Sequence, residues 1–301
     1  MVDIQGCGTA LVTPFTPANV VDVEALKRLV RWQIDSGIDF LVPCGTTGES
    51  VTLDEDEYRL VVRTCVQEAV GRVPVVAGAG TNNTEHAKHL ARAAESEGAD
   101  AVLSVTPYYN KPSQEGLVRH FTAIAEAIRI PIVLYNVPGR TGCNMLPASI
   151  ARLGHIPNII AVKEASGNLA QIMELVQVRR AGFRVLSGDD AMAFAIVCLG
   201  GEGLISVAGN IIPREMSDMI RALRRGDLGE ARRLQYRFLD LMNLNFIESN
   251  PIPVKYAVSR LGYIEEVYRL PLCPMADANK RKMDLELEKL ELVASRVQGH
   301  F

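Results

Sequence analysis

The segment Ile159–Val162 (IIAV) is a short run of β-branched and aliphatic residues that ends at Lys163. Runs of this kind, closed by polar or turn-forming residues, are typical of strands that are buried on both faces of a parallel sheet. Seven more such runs lie along the chain: Thr9–Val12, Phe40–Val42, Val73–Ala77, Ala101–Val105, Ile132–Tyr135, Phe183–Leu186 and Gly203–Val207. The pattern therefore predicts eight parallel strands.

Longer amphipathic segments separate these runs and predict helices. Thr52 and Glu55 have the spacing of a capping box, in which each side chain binds a free backbone N–H at the start of a helix. Asn82 or Thr84 is suited to cap the following helix, and Ser113 to begin the one after it. The chain thus alternates strand and helix almost from end to end.

Eight alternating units fit either a closed (β/α)8 barrel or an open doubly wound sheet. Residues suited to chemistry follow many different strands, as in a barrel, whereas a doubly wound sheet gathers its ligand contacts at one switch point. After Val207 the apolar residues recur at helical spacing. We therefore predict an α/β protein with a TIM barrel over residues 1–224 and a C-terminal helical extension over residues 225–301.

The composition excludes several classes of protein. The chain has 301 residues and a formal net charge of −3, which does not favour binding to nucleic acid. Its clustered arginines between Arg221 and Arg237 fall at helical spacing among acidic residues and predict a solvated helix face. The six cysteines form no CxxC pair and indicate reduced thiols. With no signal peptide and no membrane span in the sequence, we expect a cytoplasmic protein.

Lys163 is the most informative candidate for chemistry. The chain has eight lysines, and this one directly follows an apolar strand, so it should lie at a barrel mouth among apolar neighbours. Burial disfavours the ammonium form and lowers the pKa of a lysine, which leaves a neutral amine that can act as a nucleophile. The structural alternative is a lysine that pairs with Glu164 or another carboxylate at the strand end.

Further candidates follow other strands. Gly45–Ser50 (GTTGES) offers backbone N–H groups and Thr hydroxyls that suit a small carboxylate, although an ordinary turn would look the same. Tyr109 and Tyr135 could relay protons or simply pack at a surface. Arg140 could bind a carboxylate through two hydrogen bonds or form a surface salt bridge.

Other types of site are weakly supported. His86 and His89 share a helix face, but no third metal ligand accompanies them. Gly78 and Gly80 begin a dinucleotide-like loop, yet Asn83 occupies the position of the third glycine. The sequence therefore predicts no metal site and argues against a nicotinamide oxidoreductase.

Several motifs together resemble the dihydrodipicolinate synthase family of class I pyruvate aldolases. The resemblance extends over nearly the whole chain. Its motifs are Gly45–Ser50 (GTTGES), Thr106–Asn110 (TPYYN), Tyr135–Gly142 (YNVPGRTG), Val162–Gly167 (VKEASG) and Asn250–Lys255 (NPIPVK). Such a family implies a Schiff-base lyase that needs no metal or organic cofactor, because the protonated imine itself accepts the electrons.

The resemblance also implies a role for each matching residue. Lys163 would form an imine with pyruvate, and Tyr135 would shuttle protons with Thr46 and Tyr109. The remaining roles concern substrate binding: Thr47 would hold the carboxylate of pyruvate, Arg140 that of L-aspartate 4-semialdehyde, and the backbone near the imine would be that of Gly188 and Ile205. The product would be 4-hydroxytetrahydrodipicolinate, a precursor of diaminopimelate and lysine.

Assembly and regulation follow from the same resemblance. Family members are mostly homotetramers, built as dimers of dimers, in which the tyrosine at position 109 reaches the neighbouring subunit's site. Ser50, Asn82 and Tyr108 match a site for inhibitory L-lysine. Glu55, Tyr58 and His86 depart from it, because lysine-inhibited members carry His, His and Glu there. We therefore expect L-lysine to inhibit weakly or not at all.

Two alternatives remain at this stage. A sugar-acid aldolase, such as N-acetylneuraminate lyase or a 2-keto-3-deoxy-acid aldolase, shares the lysine and the GxTGE element. Arg140 argues against it, because a sugar hydroxyl tail does not need a guanidinium. A non-catalytic ligand-binding barrel is the second alternative, and the joint presence of Lys163, Tyr135, Tyr109 and Thr46 argues against that one.

Overall fold

The fold is that of a computed structural model, which describes residues 2–294. Eight strands lie in one sheet, and all of their pairings are parallel. They are β1 (Gly6–Ala10), β2 (Phe40–Val42), β3 (Val76–Gly78), β4 (Ala101–Val105), β5 (Ile132–Asn136), β6 (Ile159–Glu164), β7 (Arg184–Ser187) and β8 (Gly203–Ser206). The prediction of eight parallel strands is confirmed.

The sheet closes on itself. The first and last strands pair in register from Gly6 with Gly203 to Thr9 with Ser206. The remaining gap, between β2 and β3, is bridged by a parallel contact of Leu41 with Val75. The (β/α)8 barrel is therefore confirmed over the open doubly wound sheet, in which β1 and β8 would lie apart.

Helices surround the barrel on the outside. In the described part of the chain they are α1 (Val23–Asp35), α2 (Glu55–Ala69), α3 (Thr84–Ser96), α4 (Gln114–Ala127), α5 (Pro138–Thr141), α6 (Pro147–Gly154), α7 (Leu169–Val178), α8 (Ala193–Cys198), α9 (Pro213–Arg224), α10 (Leu228–Leu244), α11 (Ile252–Arg260) and α12 (Asp277–Lys289). Single turns of 3-10 helix lie at Ser50–Thr52 and Ala208–Asn210.

Apolar side chains form two clusters separated by the sheet. One fills the barrel interior with residues such as Phe40, Val133 and Leu186. The other lies between the strands and the helices and includes Leu29, Phe121 and several residues of α10 and α11. Successive strand residues point to opposite sides of the sheet, so each strand contributes to both clusters.

Two strand boundaries differ from the sequence prediction. β1 begins at Gly6 and includes Gly8, where a side chain would collide with the Phe40 ring that fills this part of the interior. Glycine there marks a close approach within the strand and not a turn. β3 begins only at Val76, since Pro74 has no N–H to donate to a neighbouring strand.

Two predicted helix caps are wrong. Thr52 lies in the preceding 3-10 turn, and the capping box before α2 is formed by Asp54 and Glu57, with the Glu57 N–H donating to Asp54 Oδ1 at 2.8 Å. Asn83, and not Asn82 or Thr84, caps α3. Before both helices, several neighbouring residues are of a type that can cap. The conformation of the preceding loop determines which of them does so. The Ser113 cap before α4 is confirmed.

The C-terminal helices pack on the barrel. α9 ends at Arg224, α10 packs against α9, and α12 contacts α10 and α11. The arginines from Arg221 to Arg237 are exposed on α9 and α10, as predicted. The division into domains at residues 224 and 225 stays a prediction, and residues 295–301 of the second domain lie outside the described residues.

Other sequence expectations concern the thiols and the membrane. All six cysteines, each within the described part of the chain, are unpaired. None of the helices between residues 2 and 294 has both the length and the apolar character that crossing a lipid bilayer requires.

A buried ion pair joins the C-terminal helices to a loop at the barrel mouth. Lys255 in α11 donates from Nζ to Glu49 Oε1 at 2.6 Å, and both side chains are almost fully buried. The second carboxylate oxygen of Glu49 accepts the Arg269 backbone N–H at 3.2 Å. The ammonium of Lys255 also lies 4.4 Å from the ring centroid of Phe15. Burial lowers the pKa of Lys255 despite its carboxylate partner.

We expect Lys255→Met to lower the free energy of unfolding by about 3–5 kcal/mol, because it leaves the Glu49 carboxylate buried without a counter-ion. Urea denaturation followed by circular dichroism measures the change. Combining it with Glu49→Gln should restore part of the loss, since no uncompensated charge then remains. Lys27→Met, which removes an exposed ion pair with Glu24, is the matched control and should have a far smaller effect. An equally small effect at Lys255 would contradict the expectation.

Candidate active site

Lys163 and Tyr135 meet at the carboxyl-terminal ends of two neighbouring strands. Lys163 in β6 is in register with Tyr135 in β5, and its Nζ lies 4.4 Å from the centroid of the tyrosine ring. Only 4% of Lys163 and 7% of Tyr135 are exposed. Both residues belong to the barrel mouth that the strand pattern predicted.

A register shift in β6 decides which way Lys163 points. Ile132 pairs with Ile159, but Val133 pairs with Ala161, so Ile160 is an extra residue in β6. Such a bulge reverses the alternation of side chains beyond it. As a result Ala161 belongs to the interior cluster and Val162 to the outer one, which directs Lys163 inward.

Glu164 consequently points to the opposite side of the sheet. Its carboxylate accepts hydrogen bonds from Asn136 Nδ2 and from the Ser166 backbone N–H at 3.1 and 2.7 Å. It forms no ion pair with Lys163. Within residues 2–294, Lys163 has no salt-bridge partner at all, so the alternative of a structural Lys163–Glu164 pair is wrong.

The amine of Lys163 is held in a state suited to nucleophilic attack. Burial is the main cause that lowers its pKa from 10.5 to about 8, and the positive charge of Arg140 acts in the same direction. The carboxylate of Asp190 opposes this shift. A usable fraction of the amine is therefore neutral at pH values close to 7, without a basic side chain of residues 2–294 in contact with it.

Tyr135 stays protonated beside this amine. Burial raises the pKa of its phenol from 10 to about 12, with Arg140 acting against the shift. A neutral phenol both donates and accepts hydrogen bonds. Tyr135 is therefore equipped to pass a proton to or from a group that reacts at Lys163.

The loop Gly45–Ser50 follows β2 and closes the mouth on one side. The Thr13 hydroxyl holds its shape by donating to the Gly48 carbonyl oxygen at 2.7 Å. Thr47 is buried and its hydroxyl accepts a hydrogen bond from Asn250 Nδ2 at 2.9 Å, whereas Thr46 is exposed. The loop thus places one buried hydroxyl, that of Thr47, and one exposed hydroxyl, that of Thr46, beside the lysine.

A small cavity connects these groups. Its lining includes residues of the predicted site together with two from the loop between α10 and α11: Thr46, Thr47, Tyr135, Arg140, Lys163, Gly188, Phe246 and Asn250. An adjoining, larger cleft shares Thr46, Tyr135 and Arg140 with it. The space suits a small keto acid next to the amine, with a second reactant entering from the cleft.

Gly188 lines the cavity, whereas Ile205 lies outside the lining of both the cavity and the cleft. A Cβ at Gly188 would lie 3.0 Å from Lys163 Cε and 2.8 Å from Ala165 Cβ, so only glycine leaves room for the lysine side chain. Ile205 in β8 is fully buried in the interior cluster with Tyr135. Both positions are compatible with backbone contacts near an imine.

Tyr109 is the predicted site residue that the structure does not bring to the others. It has a left-handed backbone with φ of 73° and is 88% exposed. It lies outside the lining of both the cavity and the cleft, whereas its neighbour Tyr108 lines the cleft. Within a single subunit Tyr109 therefore takes no part in the cluster.

Two residues at the site were missed by sequence reasoning. Asp190 follows β7 and is fully buried, and its carboxylate accepts from the Ser206 hydroxyl and from the backbone N–H groups of Val207 and Ala208. Asn250 comes from the helical extension. The pair Asp189–Asp190 directly after a strand was a usable signal, whereas nothing in the spacing of Asn250 placed it next to β2.

The glycines of the dinucleotide-like loop have a structural explanation. A Cβ at Gly78 would collide with the carbonyl group of Cys44, and one at Gly80 with the backbone of Val105. These glycines allow neighbouring backbones to approach closely. His89, which the sequence paired with His86, instead contacts Glu55 at 2.9 Å.

A model of the dihydrodipicolinate synthetase family matches residues 3–290. The chain belongs to this family. The resemblance drawn from the motifs is thereby confirmed, and the match includes the helical extension through α12 as well as the barrel.

Relatives and solved structures agree with this membership. Proteins called 4-hydroxy-tetrahydrodipicolinate synthase include one from Pelodictyon phaeoclathratiforme, 53% identical over 96% of this chain and 98% of its own length. Another, from Koribacter versatilis, is 55% identical over 93% and 94%. The crystal structure of dihydrodipicolinate synthase from Aquifex aeolicus superposes with a TM-score of 0.95 at 43% identity, covering 97% of this chain and all of that one.

We expect Gly188→Ala to slow imine formation with pyruvate by about tenfold or more, because displacing a reacting atom by even about 1 Å is costly. Borohydride trapping with mass spectrometry measures the rate. Gly229→Ala in α10 is the matched control, since its added methyl group would meet only the Asp227 side chain at 3.8 Å. A wild-type trapping rate for Gly188→Ala would mean that the lysine side chain has room to move aside.

Proposed function

We propose that the chain is a 4-hydroxy-tetrahydrodipicolinate synthase that condenses pyruvate with L-aspartate 4-semialdehyde through an imine on Lys163. One observation carries the proposal: a buried amine without a counter-ion opens into a small cavity that Tyr135, Thr47 and Arg140 also line. The names of relatives more than half identical over nearly the whole chain agree with it.

The reaction begins with pyruvate in the cavity. The Thr47 hydroxyl and the loop backbone bind its carboxylate, and the neutral amine of Lys163 attacks the keto carbon. At pH 7 a pKa of about 8 leaves roughly a tenth of the amine neutral. The Tyr135 phenol donates a proton to the resulting hydroxyl group, water leaves, and a protonated imine remains. The exposed Thr46 hydroxyl then relays a proton from solvent to Tyr135, which restores the neutral phenol.

Carbon–carbon bond formation follows. The imine withdraws electrons from the adjacent methyl carbon, which loses a proton to the relay of Tyr135 and Thr46 and becomes the nucleophilic end of an enamine. This carbon attacks the aldehyde of L-aspartate 4-semialdehyde, whose oxygen takes up a proton from the same relay and whose carboxylate Arg140 binds at the edge of the cleft. The amino group of the second substrate then attacks the imine carbon, closes the ring and releases the amine of Lys163. The backbone of Gly188 and Ile205 borders the imine throughout.

We propose that the enzyme works as a homotetramer, a dimer of dimers, in the cytoplasm. Tyr109 and Val51 are 88% and 79% exposed on loops at the barrel mouth. Large apolar groups at such positions are typical of a protein interface. The proton relay from Thr46 and Tyr135 is then completed by the tyrosine at position 109 of a neighbouring subunit.

We expect borohydride and pyruvate together to place a stable adduct on Lys163, which peptide mass mapping locates, and none on a Lys163→Ala variant. Trapping should accelerate as pH rises through about 8 and level off about one unit higher, because half of the amine is neutral at its lowered pKa and nearly all of it one unit above. Tyr135→Phe should retain the fold and lose about 100-fold or more in turnover, the usual contribution of a proton-transfer group.

A coupled assay distinguishes the second substrate. Purified enzyme should condense pyruvate with L-aspartate 4-semialdehyde and should not cleave N-acetylneuraminate or 2-keto-3-deoxy acids. An adduct on another lysine, or cleavage of a sugar acid in place of condensation, would refute the proposal. An unchanged rate for Tyr135→Phe would remove that residue from the relay.

The pocket that corresponds to the family's lysine site predicts weak regulation. Ser50, Tyr108, Glu55, Tyr58 and His86 all line one cavity next to the cleft. The Glu55 carboxylate is already engaged by Arg59 and His89, at 2.9 Å from each. The residues that depart from the lysine-inhibited pattern therefore offer no free carboxylate to the ammonium groups of an effector.

We expect millimolar L-lysine to leave turnover at saturating pyruvate nearly unchanged, which steady-state assays at a series of lysine concentrations measure. His86→Glu should increase sensitivity, because it adds a carboxylate to the pocket. Half-inhibition of the unmodified enzyme by submillimolar L-lysine would contradict the expectation.

A further inference from the structure

Asn250 contacts both of the groups that the proposed function assigns to substrate carboxylates. It lies between α10 and α11, is 6% exposed, and lines the cavity at Lys163. Its Nδ2 donates to the Thr47 hydroxyl oxygen at 2.9 Å, and its backbone carbonyl oxygen accepts from Arg140 Nη2 at 3.4 Å. One residue of the helical extension thus connects two elements that follow β2 and β5.

The direction of the first hydrogen bond matters for anion binding. A threonine hydroxyl has one hydrogen to donate and can accept from other groups. Because Asn250 supplies the hydrogen in their contact, the hydrogen of Thr47 is not used there. Among residues 2–294 we find no second hydrogen-bond partner for the Thr47 side chain. Its O–H is therefore available to a carboxylate in the cavity.

The second contact concerns the position of Arg140. This guanidinium forms no salt bridge within the described chain, and the carbonyl oxygen of Asn250 is its one hydrogen-bond partner there. A long, exposed side chain with a single anchor depends on that anchor for its position. Arg140 and Thr47 are thus both in contact with Asn250.

The extension holds Asn250 in place from the following helix. Five residues later, Lys255 forms the buried ion pair with Glu49, in the same loop as Thr47. The loop is therefore attached to the extension at two points, through Asn250 at Thr47 and through Lys255 at Glu49. Such a two-point attachment restricts rotation of the loop relative to the cavity.

We propose that Asn250 is a positioning residue that orients the Thr47 hydroxyl toward the carboxylate of the keto acid. This inference rests on the proposed function. Asn250 acts through Thr47 and Arg140, and it does not itself take part in proton transfer. The helical extension is on this account a part of the active site.

Asn250→Asp tests the inference with a side chain of the same size. A carboxylate only accepts, so it turns the Thr47 hydrogen away from the cavity, and it adds a negative charge beside the substrate carboxylates. We expect the KM for pyruvate near pH 8 to rise about 10- to 100-fold, the effect of losing a hydrogen bond to a charged group, with a much smaller change in kcat. The ratio of variant to wild-type KM should shrink as the pH is lowered, because the introduced carboxyl group can donate a hydrogen bond once it is protonated.

Asn250→Ala provides the second variant in case the first does not fold. It removes the donor without adding charge, and we expect a KM for pyruvate raised by about threefold to tenfold, with kcat largely kept. Asn243→Asp, at an exposed position of α10, adds the same charge to the same helical extension and should behave as wild type. Thermal unfolding by circular dichroism establishes that each variant is folded.

The outcomes separate this inference from the proposed function. If the proposed function fails, the wild-type enzyme gives no borohydride adduct on Lys163. If only the inference fails, the wild type gives the adduct and the Asn250 variants keep its KM for pyruvate within about twofold. A loss confined to kcat, or a KM ratio for Asn250→Asp that is independent of pH, would also overturn it.

Discussion

The proposed chemistry depends on the buried amine of Lys163, which has no salt-bridge partner among residues 2–294. Removing an ammonium from water without a carboxylate partner is unfavourable, and the lysine responds with a pKa lowered to about 8. The barrel makes this possible, because the strand ends surround Lys163 with backbone and the ring of Tyr135. The neighbouring carboxylates of Glu164 and Asp190 are occupied by other hydrogen bonds.

The helical extension has a larger part in the site than its position in the sequence suggests. Lys255 and Asn250 attach it to the loop after β2 through a buried ion pair and a side-chain hydrogen bond. Both contacts are shielded from water, where electrostatic interactions are strong and their loss is costly. The barrel contains the buried lysine, and the extension contacts the groups that are proposed to hold the substrates.

Much of the fold and of the candidate site was predictable, because both follow from patterns among neighbouring residues. Buried parallel strands are short and apolar, so all eight were located. The residues at their carboxyl-terminal ends or in the loops after them include Lys163, Tyr135, Thr47 and Arg140. The errors arose where a local signal has several solutions. Asp54 and Asn83 cap helices in place of nearby residues of the same type. Tyr109, which was expected to join the proton relay, is exposed in the single chain.

The sequence by itself determined the strand–helix alternation, the family and the lysine at the end of β6, since each is written in neighbouring residues. Only the tertiary structure decided that Lys163 faces inward, because the extra residue Ile160 reverses the alternation in β6 and becomes visible only when β5 lies beside it. It also decided that Asn250 meets Thr47, a contact between residues 203 positions apart. Contacts of this range follow from the packing of whole elements, which no local pattern encodes.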